Sequence, residues 1–155
     1  MILDERTEFA DATSVAASAG TALIGDVYDL GSTTNYPGNS EGLYLVIQTD
    51  TSIITGGSAG TVQFFLVSDA LATLGSATVA SCTQHWASTA YATGGSATGD
   101  IAAGGQICAI ELPRGNYERY LGILCTTGTT TTTAGKINAF LTTDPKAWTA
   151  LPDAI

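Results

Sequence analysis

The chain has 155 residues, of which 45% are hydrophobic and 12% charged, so low hydropathy and charge repulsion cannot keep it unfolded. One core suffices at this length, burying roughly 70% of the surface that the extended chain exposes. Five basic residues (Arg6, Arg114, Arg119, Lys136, Lys146) are scattered among fourteen acidic ones, giving a formal net charge of −9. That excludes a basic stripe that could neutralise a phosphate backbone, and no apolar run approaches the about 20 residues of a membrane helix. Neither nucleic acid nor membrane is an expected partner.

The opening Met1-Ile2-Leu3-Asp4-Glu5 carries acid where a secretory signal would carry positive charge, which predicts a protein made in the cytoplasm. Residues 1–20 read as an extended N-terminal arm, residues 21–143 as a β-sandwich, and residues 144–155 as a C-terminal tail. Within the sandwich, apolar runs alternate with clusters of Gly, Thr, Ser, Asn and Pro, the rhythm of an all-β protein. Strands are expected over residues 23–30, 43–49, 61–68, 77–82, 106–112, 119–126 and 136–142. Asn35, Pro37 and Asn39 mark a loop between the first two, and Gly56-Gly57-Ser58-Ala59-Gly60 another before the third.

Two helical turns interrupt this pattern. Ser68-Asp69 can cap Ala70-Leu71-Ala72-Thr73-Leu74, with Gly75 closing the turn left-handed, and Asp144-Pro145 can start a turn before Lys146-Ala147-Trp148. Residues 126–133 are a low-complexity threonine-rich loop.

Leu43-Tyr44-Leu45-Val46-Ile47 and Val62-Gln63-Phe64-Phe65-Leu66-Val67 are apolar on both faces, whereas an ordinary sandwich leaves its outer faces polar. Something must cover them. The cover is either intramolecular, from the first twenty residues or the stretch 83–105, or a second copy or another protein.

No constellation assembles a reaction. His85, the one histidine, stands beside Trp86 in an expected loop without a nucleophile-elbow motif, and its expected role is structural. Cys82 and His85 have the spacing of half a zinc site, but Cys108 and Cys125 stand alone within strand-like runs. All three cysteines read as small buried hydrophobes rather than ligands or disulfides. The acidic sets Asp26/Asp29 and Asp4/Glu5/Glu8/Asp11 lack a calcium-loop pattern. No catalytic residue, metal or cofactor is assigned. Trp86, Tyr91 and Tyr36 could instead serve as stacking platforms of a carbohydrate-binding or tail-associated module.

Met1-Ile2-Leu3-Asp4, Ile24-Gly25-Asp26-Val27, Leu43-Tyr44-Leu45-Val46-Ile47, residues 60–69, Tyr117-Glu118-Arg119-Tyr120-Leu121-Gly122-Ile123, residues 135–143 and the tail 148–154 together resemble the capsid cement, or decoration, proteins of tailed bacteriophages. The resemblance rests on order and coverage, not on one diagnostic motif. It implies a jelly-roll structural protein of the virion, bound to the outer surface of the icosahedral head. There it would bridge neighbouring major capsid proteins as a homo-oligomer, dimer or trimer. Met1, Ile2, Leu3 and Asp4 are the candidate capsid-contacting arm, the alternative being a frayed terminus.

Overall fold

The computed structural model describes residues 7–31, 42–56, 59–74, 78–94 and 97–145. Among them are nine strands: β1 (Glu8–Ser14), β2 (Gly20–Asp29), β3 (Tyr44–Thr55), β4 (Thr61–Asp69), β5 (Thr83–Ala87), β6 (Tyr91–Ala92), β7 (Gln106–Glu111), β8 (Tyr120–Gly128) and β9 (Thr132–Thr142). They form two antiparallel sheets, in the orders β1-β9-β3-β7 and β2-β8-β4-β5, with β6 paired to the start of β4.

The pairing has a simple logic. The chain doubles back on itself as one long hairpin, so that β1 meets β9, β2 meets β8, β3 meets β7 and β4 meets β5. Rolling that hairpin adds the β3–β9 and β4–β8 ladders and splits it into two facing sheets. This is jelly-roll topology, and it confirms the all-β sandwich expected from the sequence.

Alternation along the central strands builds the core. Leu45, Ile47 and Ile53 of β3 and Ile137, Ala139 and Leu141 of β9 point inward from one sheet. They meet Val62, Phe64 and Leu66 of β4 and Leu121, Ile123 and Cys125 of β8 from the other. The intervening residues are also buried. Phe65 and Val67 of β4 and Leu124 of β8 form a second cluster with Leu74 on the outer face of their sheet. Leu23, Val27, Val79, Cys82, Ala87 and Tyr120 pack around it.

The cover on this face is therefore intramolecular, but neither expected segment supplies it. It comes from the connection between β4 and β5, whose Leu74 is fully buried. Asp69 Oδ1 accepts from the Leu71 amide at 3.0 Å, and the Leu74 amide donates to Leu71 O at 3.0 Å, so the expected Asp cap closes a tight turn. Leu74 itself holds the left-handed conformation (φ 46°) that the sequence assigned to Gly75, which lies outside the described residues. Gly122 of β8 makes the seat, since a Cβ there would stand 2.5 Å from Leu74 Cδ1. On the outer face of the other sheet, Val46 faces Phe140 across the β3–β9 ladder, and both are buried outside either cluster.

Two strands differ from expectation. The described part of the expected strand 77–82, residues 78–82, does not form one. Residues 79–81 make a 3₁₀ turn, Val79 and Cys82 pack onto the outer cluster, and the strand begins only at Thr83. His85 and Trp86 consequently lie on β5 and not in a loop. The sandwich also begins before residue 21, because residues 8–14 of the presumed arm form β1 and bury Phe9 and Ala10. Bulges break the β1 register between Glu8 and Ala10 and between Ala10 and Thr13, and Ala12 has φ 42°, so no period-2 pattern marks it. Of the segment 144–155, only Asp144 and Pro145 are among the described residues.

Gly25 sets the approach of β2 to β1. Its φ of 67° lies in the left-handed region, and a Cβ there would collide with the Phe9 carbonyl. Replacing Gly25 by Val should strain the backbone and part the two strands. Leu74→Ala should cost about 2–5 kcal/mol as a large-to-small change at a fully buried site. Urea unfolding of both variants checks these losses, and a Leu74→Ala loss below about 0.5 kcal/mol would refute the covering role of that side chain.

Candidate functional site

His85 lies on β5, where its ring reaches β4 on one side and the β7–β8 connection on the other. Its Nε2 is 2.7 Å from Ser68 Oγ, at the end of β4. The same oxygen accepts the Glu118 amide at 3.0 Å. The imidazole stacks on Tyr117 with centroids 3.8 Å apart and planes 17° from parallel. Tyr117 Oη donates to Pro113 O at 2.6 Å, closing the connection on itself, and Thr83 Oγ1 donates to Glu118 Oε1 at 2.6 Å.

The proton inventory of this cluster is constrained. A serine hydroxyl donates once and accepts twice. Ser68 accepts from Glu118, is fully buried, and has His85 as its other partner, so its own proton is satisfied by donation to a neutral Nε2. Burial holds the His85 pKa below that of an exposed imidazole, while the negative Glu118 opposes that shift. Burial also pushes the Tyr117 phenol up to about 12.

A serine and a histidine in contact invite comparison with a hydrolytic dyad. Ser68, however, has no exposed surface and is held by a backbone amide, and the nearby Glu118 carboxylate bonds Thr83 rather than the ring. The arrangement is a partly buried cluster that ties the β7–β8 connection to the end of β4. Sequence spacing could not reveal it, because Ser68 and His85 are brought together by the β4–β5 ladder and Tyr117 by a connection from the other sheet.

The other candidates do not converge. Cys108 and Cys125 sit in the main core while Cys82 belongs to the outer cluster, on the far face of the sheet. All three are free thiols. Burial drives the pKa of Cys108 and Cys125 up to about 12, and burial followed by the Asp69 charge raises that of Cys82. Cys82 Sγ donates to Leu74 O at 2.8 Å, which helps fix the covering segment.

The acidic sets separate in the same way. Asp29 makes a two-point ion pair with Arg119, both contacts at 2.9 Å, which with the Gly31 amide lowers its carboxyl pKa. Glu8, Asp11 and Asp26 line a cleft of about 270 Å³ between β1 and β2, together with Phe9, Ala10, Thr13 and Gly25. Asp4 and Glu5 lie outside the described residues, and among the described ones no three acidic, histidine or cysteine side chains have metal-binding geometry. Trp86 and Tyr91 are partly buried against the main core rather than displayed as free platforms; Tyr36 lies outside the described residues. So do Met1, Ile2, Leu3 and Asp4, the candidate arm.

Eight long strands in two four-stranded sheets, with a two-residue ninth, place the molecule among jelly-roll β-sandwiches. Within that class the chain belongs to the Bbp16 family, whose model matches residues 9–141. The match runs from β1 to β9 and so takes in both sheets. No curated protein matches the chain.

The thiols provide a direct check on the burial described here. In native protein at pH 8, Cys108 and Cys125 should resist a thiol reagent that labels them at once after unfolding. Rapid labelling of either in the folded state, followed by mass spectrometry, would contradict its place in the core.

Proposed function

We propose that this chain is a structural cement protein of a tailed-phage head. It binds the outer surface of the shell as a homo-oligomer and bridges neighbouring major capsid proteins. The observation that carries the reading is where the cement-like segments fall in the fold. Residues 60–69 and 135–143 supply all of β4 and most of β9, and residues 43–47 and 117–123 supply the start of β3 and of β8; these are the four strands joined by the β3–β9 and β4–β8 ladders. These four segments thus lie mainly on the framework of the jelly roll, while residues 1–4 and 148–154, which also carry the resemblance, are outside the described residues. Membership of the Bbp16 family, matched over that same framework, is compatible with it.

Charge and chemistry support the same reading. An acidic molecule of net charge −9 suits a shell exterior, with the packaged genome on the other side. The histidine-centred cluster serves to hold a connection in place, and Ser68 is inaccessible to a substrate. The proposed mechanism is thermodynamic: a ligand that binds the expanded lattice and not the immature one stabilises the former by its binding free energy. That amounts to about 2.7 kcal/mol per site when the free protein is at 100 times its Kd.

The arm would consist of Met1, Ile2, Leu3 and Asp4, which precede the edge strand β1. Deleting residues 1–6 spares all of β1, including the buried Phe9 and Ala10. In co-sedimentation, the full chain should bind expanded heads and leave immature shells bare, and the truncated chain should bind expanded heads at least about tenfold more weakly, or about 1.4 kcal/mol. Equal binding by both forms of the protein would dismiss the arm. Absence of binding to expanded heads, or specific binding on a glycan array, would overturn the cement reading. Light scattering of the free protein should give a dimer or trimer, and a strict monomer at high concentration would remove the oligomer from the proposal.

A further inference from the structure

We infer that the connection between β7 and β8 is fastened by an acid-sensitive latch, in which a neutral His85 accepts the proton of Ser68 and so allows Ser68 to hold the Glu118 amide. The geometry leaves little freedom. Ser68 Oγ has two partners, the Glu118 N–H at 3.0 Å and His85 Nε2 at 2.7 Å, and none of its surface reaches water. With the imidazole neutral and its proton on Nδ1, every donor at this oxygen finds an acceptor.

Protonating His85 turns Nε2 into a donor aimed at an oxygen that already accepts. Both N–H groups then point at Ser68 Oγ, and its own hydrogen loses its acceptor in a buried place. The mismatch is relieved when the connection lifts from β4 and water reaches the hydroxyl. Stacking does not prevent this, since an imidazolium is still attracted to the Tyr117 face and can leave with it.

The charged and titratable groups around the ring are few. The connection carries Arg114, Tyr117 and Glu118. Glu118 favours the imidazolium and is itself engaged by Thr83. Arg119 follows it and is held by Asp29. On β4, Asp69 neighbours Ser68 and accepts from the Leu71 amide. Burial outweighs Glu118, so the folded protein takes up the proton at lower pH than the unfolded chain does. The latch is therefore closed above pH 6.5. Its contribution to stability is lost as pH falls from 6.5 through the folded pKa.

Nuclear magnetic resonance of the unmodified protein tests this without a variant. The His85 ring resonances should titrate with a midpoint below 6.5. Once intrinsic exchange rates are taken into account, protection of the Glu118 amide should drop by about tenfold or more on passing below that midpoint. Amides in the middle of β8 should keep theirs. His85→Gln, whose side-chain oxygen can still accept from Ser68 but does not titrate, should hold Glu118 equally protected on both sides of the wild-type midpoint. A midpoint at or above 6.5, unchanged Glu118 protection across the titration, or the same loss in His85→Gln would each overturn the latch.

Discussion

A jelly roll stands or falls on keeping water from the central strands of both sheets at once. In this protein those strands are apolar on the outside as well as within. Their inner side chains meet across the sandwich, from Leu45 and Ile47 on one sheet to Phe64 and Leu66 on the other. Their outer side chains would leave a large exposed apolar patch if nothing crossed them. The β4–β5 connection answers that need on one sheet, and much of the rest follows from it. Leu74 must sit directly on β8, so Gly122 has no side chain. The turn that delivers Leu74 must be tight, so Asp69 caps it. Cys82 then anchors the return of the chain before β5 can start.

The same connection organises the polar end of this sheet. By carrying the chain over the outer face and returning it at Thr83, it brings His85 alongside Ser68. The β7–β8 connection then closes over this pair through Tyr117 and Glu118. A covered apolar face and a polar cluster thus sit at either end of one excursion of chain. Burial is favourable in the first case, and in the second it is tolerable because the Ser68 hydroxyl and the Glu118 amide each have an acceptor.

Much of this was legible from residue order. Runs of β-branched and aromatic residues bounded by Gly, Asn and Pro marked six of the strands, though β3 runs on to Thr55 and β9 begins at Thr132, beyond the expected bounds, and double-sided hydrophobicity showed that a cover was needed. Three features were not legible, each for its own reason. β1 is bulged, so Phe9 and Ala10 are buried as neighbours and leave no alternating signature. Val79 looks like a strand residue, but its hydrophobicity serves the outer cluster. The Ser68–His85–Tyr117 cluster joins the one histidine to a serine and a tyrosine, themselves about fifty positions apart, that no local spacing singles out from the chain's other serines and tyrosines.

By itself the amino-acid sequence determined that the chain is an acidic all-β protein with one core, because periodicity and composition act locally on each strand. The tertiary structure decided which strands pair, which segment shields the outer face, and which polar groups meet. Antiparallel pairing between distant strands is a long-range choice, made by the shared burial of both sheets. It closes loops whose ends carry no mutual signal until the sandwich has formed.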